Sequence, residues 1–203
     1  MIKAVVLDIG GVLIRTMDRS GRHTLEKAYD LPPGGADTLV FNSSSADAST
    51  IGRAQPEQIW RNVAESLSLS QKALDEFIAL FWRGDQVDLE LLAYIKKLKS
   101  TFTTALLSNA WLGARQHFAE EYNIVEGQTV DHILISSELG LAKPDQRIYH
   151  ILADTVGHTF DQILFVDDFI ENIAAAQALG IHTIHYQPGM DLIDPIQSKL
   201  DHQ

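Results

Sequence analysis

The chain reads as a three-layer α/β fold, a parallel sheet with helices on both faces, interrupted near its start by a small helical insertion. Three observations predict this. Short β-branched runs alternate with longer amphipathic stretches, the order that a parallel sheet requires because each crossover needs a helix. One stretch, from about Arg15 to Asp85, breaks the alternation and carries no strong strand run. Polar residues recur at the ends of apolar runs, where such a sheet presents its ligand edge.

The elements follow in chain order. The first strand is Lys3–Leu7, ended by Asp8. In the insertion, helical patterns occur around Gln58–Leu67 and Lys72–Phe81, and Trp60, Phe77, Phe81 and Trp82 fall at helical spacing, expected as cap core with a stacking platform as the alternative. The segment Asn42–Thr50, with its serine-rich tract Ser43–Ser49, is expected to be a surface loop. After the insertion, Leu89, Leu92, Ile95 and Leu98 make Asp88–Leu98 a crossover helix, and Thr103–Leu107 is the next strand. His132–Ile135, Gln162–Val166 and His182–His185 complete the sheet, with Ile173–Leu179 a helix stopped by Gly180. The expected division is residues 1–14 and 86–203 as the α/β core and 15–85 as the helical unit. A chain of 203 residues can hold one full core and a smaller accessory unit, since domains run to roughly 100–150 residues.

Composition narrows the function classes. An apolar share of 45% with 21% charged residues is that of a globular protein. A formal net charge of -11 leaves no broad basic surface, so nucleic acid and anionic membrane are not expected partners. A small anionic substrate is still allowed, because a bound cation and a lysine can reverse the local field. The absence of cysteine excludes disulfides and thiol catalysis and fits a cytoplasmic location. The run Ile2–Leu7 is too short for a signal peptide or a membrane span.

Four polar clusters are placed to meet at the carboxyl edge of the sheet. Asp8-Ile9-Gly10-Gly11-Val12 follows the first strand, Ser108-Asn109 the second, Lys143-Pro144 opens the helix after the third, and Asp167-Asp168 follows the fourth. Each suits phosphoryl transfer. A strand-end carboxylate such as Asp8 can attack phosphorus, and Gly10-Gly11 lets the backbone turn and present amides to phosphoryl oxygens. The Ser108 hydroxyl and the amides that open the next helix form an anion site. Lys143 supplies a point charge for developing negative charge, with Pro144 expected at a first helical position. Adjacent Asp167 and Asp168 at the end of an apolar strand are costly to bury without a cation, and magnesium is the usual one beside a phosphate. Any single strand-end aspartate is more often a cap or turn residue; the conjunction of four clusters is what points to chemistry.

Val5-Val6-Leu7-Asp8-Ile9-Gly10-Gly11-Val12-Leu13, Leu106-Leu107-Ser108-Asn109, Gly140-Leu141-Ala142-Lys143-Pro144-Asp145 and Phe165-Val166-Asp167-Asp168 resemble motifs one to four of the haloacid dehalogenase superfamily. The resemblance runs to about His185 and is closest to the branch with a small helical cap inserted after motif one. It implies a Rossmann-like core and a Mg2+-dependent phosphatase of a small phosphorylated metabolite, a sugar phosphate being one candidate. By the same resemblance Asp8 is the nucleophile, and Ser108 and Lys143 hold the phosphoryl group with Asn109, Gly10 and Gly11 beside it. Asp8, Asp167, Asp168 and the Gly10 carbonyl would bind the metal, with Asp168 the more direct ligand of the motif-four pair. Ile51-Gly52-Arg53, expected to open a helical stretch, resembles the family's substrate-specificity loop, which makes Arg53 a candidate substrate contact; a solvated surface arginine is the alternative.

Two departures qualify the pattern. Gly10 stands where the usual family phosphatase has a second aspartate serving as general acid and base, and Asn172 stands where many members have a further acid, with Glu171 next to it able to act through a water. Two other functions therefore stay open: metal-independent dehalogenation, in which the aspartate attacks carbon, and a catalytically idle binding protein. The histidines form no metal motif, since His182 and His185 lie on opposite faces of a strand. Trp111, just past Ser108-Asn109, is either packing or a wall of the entrance.

Overall fold

The structure, a computed structural model, describes residues 1–201. In chain order its elements are β1 (Ala4–Leu7), β2 (Ile14–Thr16), α1 (Ser20–Ala28), α2 (Gly35–Phe41), α3 (Ser44–Thr50), α4 (Pro56–Leu67), α5 (Gln71–Trp82) and β3 (Asp85–Val87). There follow α6 (Leu89–Leu98), β4 (Thr103–Ser108), α7 (Ala114–Tyr122), β5 (His132–Ile135), α8 (Ser136–Leu139) and α9 (Gln146–Val156). After a single 3-10 turn come β6 (Ile163–Asp167), α10 (Ile170–Ala178), β7 (His182–His185) and α11 (Ile193–Asp201).

The sheet has the order β5-β4-β1-β6-β7 with every neighbour parallel. Its central strand reads Ala-Val-Val-Leu and is buried throughout, as a strand covered on both faces must be. Alternate side chains divide between the faces. Val5 and Leu7 join a core with Leu91 and Ile95 of α6 and Phe118 of α7. Ala4 and Val6 join Ile148, Tyr149 and Leu152 of α9 on the other side. Register sets the carboxyl edge: Leu7 pairs with both Leu106 and Val166, so Asp8 and Asp167 emerge level and Ser108 lies one residue further along its strand.

The insertion leaves and returns through an antiparallel ribbon, with Ile14 opposite Val87 and Thr16 opposite Asp85. Its helices form a cap with a hydrophobic cluster of their own, comprising Leu25, Ala36, Val40, Val63, Leu74, Phe77 and Phe81. Close backbone approach matters at two points. A Cβ on Gly21 would lie 2.2 Å from the Leu80 carbonyl oxygen, so glycine lets α1 cross α5, and one on Gly84 would lie 1.7 Å from the Asp18 carbonyl oxygen at the ribbon.

Three local expectations are corrected. Ser43–Ser49 is not a loop: Ser44–Thr50 is helical, Ser43 Oγ accepts the Ala46 N–H at 3.1 Å as an N-cap, and Ala46 and Ser49 are buried. Capping and tertiary burial override the weak helix propensity of the serines. Ile51-Gly52-Arg53 follows that helix instead of opening one, with Ile51 its C-cap and Gly52 at φ +70°. Pro144 is not a first helical residue either, because α9 starts at Gln146 with Asp145 as its N-cap. Among the described residues no helix is long and apolar enough to cross a membrane.

Candidate active site

Asp8, Lys143, Asp167 and Asp168 come together at the carboxyl edge of β1 and β6. Lys143 Nζ is buried and has three partners: the Leu107 carbonyl at 2.9 Å, Asp167 Oδ2 at 2.6 Å and Asp8 Oδ1 at 3.0 Å. An ammonium has three donors, so each is used. Asp8 Oδ1 also accepts the Ile9 N–H at 2.7 Å. Burial pushes the Asp8 carboxyl up to about 7, with Lys143 opposing the rise and Asp167 and Asp168 adding to it. For Lys143 burial acts downward, but the Asp8 and Asp167 carboxylates outweigh it and hold the ammonium above its ordinary value.

The adjacent acids differ. Asp167 is fully buried and its oxygens are engaged: Oδ1 accepts from the Phe169 N–H at 2.8 Å and from Asn172 Nδ2 at 3.0 Å, and Oδ2 accepts from Lys143 and from Asn172 Nδ2 at 3.1 Å. Asp168 Oδ1 is buried and has no hydrogen-bond partner among the described residues. Burial, then the neighbouring Asp167, raises the Asp168 carboxyl above its usual range. One carboxylate oxygen from each of Asp8, Asp167 and Asp168 lies within 4.8 Å of the others. An orphaned carboxylate oxygen beside two further acids is a hard-oxygen donor set, which fits a magnesium ion and leaves a buried anion uncompensated without a cation.

The glycines divide the labour. Gly11 has φ +82°, and a Cβ there would meet Asp168 Oδ2 at 2.2 Å, so glycine is what lets Asp168 approach the turn. Gly10 is exposed, and a Cβ there would meet nothing within 4 Å. The space in which a second aspartate would sit is open.

Ser108 ends β4, the strand paired with β1, and is buried. The Asn109 side chain faces the other way: its Nδ2 donates to the Lys143 carbonyl at 2.8 Å and its Oδ1 accepts the Lys143 N–H at 2.9 Å. That two-way clamp fixes the loop that delivers Lys143. Arg53 is exposed on the cap. Its loop is docked on the core, because Ser136 Oγ donates to the Thr50 carbonyl at 2.5 Å and a Cβ on Gly52 would lie 2.4 Å from the Ser137 carbonyl oxygen.

Two residues named in the sequence make contacts that the sequence reading did not foresee. Asn172 is not a missing acid but a donor to both oxygens of Asp167, and Tyr149 Oη in turn donates to the Asn172 carbonyl at 2.9 Å. His185 Nε2 lies 3.0 Å from the Asp168 carbonyl oxygen, which steadies the turn after β6. The position of His185 opposite Asp167 in the β6–β7 register was the available signal. Glu171 is exposed.

Known proteins resemble this chain in sequence and in fold. The rat protein "Bifunctional epoxide hydrolase 2" is 25% identical over 90% of this chain, although the match covers only 36% of that longer protein, and its mouse counterpart matches over 17% of its length. A D-ribitol-5-phosphate phosphatase of Bacteroides thetaiotaomicron is 25% identical over 94% of this chain and 95% of its own. Among solved structures, a HAD-like family hydrolase from Porphyromonas gingivalis superposes with a TM-score of 0.80 at 23% identity, covering all of both chains. A Bacteroides thetaiotaomicron HAD family enzyme, solved with magnesium and inorganic phosphate, gives 0.77 at 20% identity over 96% of this chain and 99% of that one. The family model for haloacid dehalogenase-like hydrolases matches residues 2–180, and the chain belongs to that family.

Proposed function

We propose that this chain is a magnesium-dependent phosphatase of a small phosphorylated metabolite, working through an aspartyl-phosphate on Asp8. The observation that carries the reading is the buried, unpartnered Asp168 Oδ1 set beside Asp8 and Asp167. Attack on carbon, as in dehalogenation, leaves that uncompensated anion without a purpose. The named activity of the Bacteroides relative and the magnesium and phosphate bound by the Bacteroides structure support the same choice.

In this assignment Asp8, Asp168 and the Gly10 carbonyl would hold the metal, and Asp167 positions Lys143 because its own oxygens are already engaged. Magnesium, when bound, neutralises the acids and the incoming phosphate and polarises the phosphoryl oxygens. Asp8 Oδ1 is engaged by Ile9 and Lys143, so the second carboxylate oxygen attacks phosphorus. The bond from phosphorus to the leaving oxygen breaks and Asp8 becomes the acyl phosphate. Lys143 and the Ser108 hydroxyl offset the charge that develops on the phosphoryl oxygens. Water then attacks phosphorus, which releases inorganic phosphate and restores the carboxylate. Gly10 has no side chain to protonate the leaving group, so that oxygen departs as an anion or takes its proton from solvent. Residues 15–85 act as the cap over this edge, with Arg53 as a substrate contact, in a protein of the reducing cytoplasm.

Turnover of acetyl phosphate tests the reading. It should require magnesium, vanish in excess chelator and return when the ion is restored. Full activity in excess chelator would remove the metal, and no turnover of any phosphate monoester or acyl phosphate would remove the phosphatase.

A further inference from the structure

The nucleophile's strand is flanked on both sides by apolar side chains that keep open surface, Trp111 at the margin of the core and Phe169 beyond it. Sheet order puts β4 on one side of β1 and β6 on the other. The loop after β4 carries Trp111, three residues beyond Ser108 and only partly buried. The loop after β6 carries Phe169 and Ile170 directly after Asp168, with 60% and 54% of their surface exposed. The Phe169 N–H is fixed on Asp167, yet its ring is left in water. From above, the cap brings Trp82 to Trp111, with ring centroids 6.1 Å apart, and Trp82 in turn meets Trp60 at 6.2 Å and the 45% exposed Phe41 at 6.0 Å. Scattered exposed apolar residues are ordinary, but aromatic surface on both flanks of a catalytic strand is the kind of patch that marks a binding site.

The chemistry at Gly10 points to the same ligand. Without a general acid, and with open space where one would sit, the site favours leaving groups that depart unprotonated. An aryl oxide does so far more readily than an alkoxide, and an aryl ring is also what indole and phenyl faces hold best. Resting on the phosphatase reading, we propose that the substrate is a phosphate monoester of an aromatic alcohol, its ring held between Trp111 and Phe169, which therefore set specificity. A simple alkyl phosphate, whose leaving group is an aliphatic alkoxide, satisfies neither the walls nor the missing acid.

The test compares ligands before it compares variants. With magnesium present, phenylphosphonate should bind the wild-type chain roughly tenfold more tightly than methylphosphonate, the scale of one good aromatic contact, with tryptophan fluorescence as readout. Phe169→Ala, at an exposed position, and Trp111→Ala should each erode that preference. Each should also lower the ratio of kcat/KM for phenyl phosphate to that for acetyl phosphate by about threefold to tenfold. Equal binding of the two phosphonates, or an unchanged preference and ratio in both variants, would overturn the proposal. Absence of acetyl phosphate turnover in the wild type would instead sink the phosphatase reading, and a retained preference for phenylphosphonate would then leave the aromatic site standing on its own.

Discussion

Among the described residues two cations are buried between pairs of carboxylates, Arg22 in the cap and Lys143 at the sheet edge, and the two differ in how the charges sum. In the cap, Arg22 pairs with Asp37 and Asp85 and stacks over the Phe81 ring at 4.4 Å, while Arg19 also pairs with Asp37. Two guanidiniums there face two carboxylates, and the network closes on itself. At the sheet edge, Lys143 pairs with Asp8 and Asp167, and Asp168 stands beside them with an oxygen that nothing engages. Three carboxylates face one ammonium. The cap network neutralises its own charge with the help of the exposed Arg19, whereas the buried cluster at the sheet edge needs a further cation, and that imbalance separates the candidate site from a structural ion cluster.

The widest separation between the two should come from removing each cation. Lys143→Ala is expected to lower kcat by at least about 10²–10³, the scale of a lost preorganised electrostatic group, in steady-state turnover of acetyl phosphate. Arg22→Ala is expected to act on stability, by about 3–5 kcal/mol because it leaves carboxylates unpaired in the cap, with turnover per folded molecule preserved at low temperature. Denaturant unfolding together with kinetics checks both. If Arg22→Ala abolished turnover in a folded protein, the distinction would fail.

A smaller effect follows from the titration of Asp8. Its carboxyl in the folded, metal-free protein is raised from 3.8 to about 7, chiefly by burial. Between those values the folded chain keeps a proton that the unfolded chain has lost, so stability falls as pH rises through this window and the loss is complete above it. Thermal melts of the metal-free protein should therefore show a melting temperature that declines from about pH 4 to about pH 7. Magnesium should raise it more at the upper end than at the lower. Asp8→Asn should flatten the decline, and a decline of equal size in that variant would assign it to other groups.

Much of the sheet edge was legible because a polar residue closing an apolar run is visible in the letters, and Asp8, Ser108 and Asp167-Asp168 each close one. The division of labour between the motif-four acids was less visible, since it rests on Asn172, Lys143 and a backbone N–H reaching Asp167 from separate elements. The cap was the harder half. Arg22 and Glu26 are buried on the inner face of α1, so the apolar stripe that marks a helix is broken by charges whose partners lie in other elements. In α3 the letters are turn-formers, and only the N-cap and burial make them helical.

The most direct test of the whole account is to quench the wild-type enzyme during turnover of a phosphate ester with magnesium, then locate the phosphoryl group by peptide mass. The account predicts one phosphoryl group on Asp8, sensitive to hydroxylamine as an acyl phosphate and absent from Asp8→Asn. A phosphoryl group on any other residue, or sustained turnover by Asp8→Asn, would contradict it.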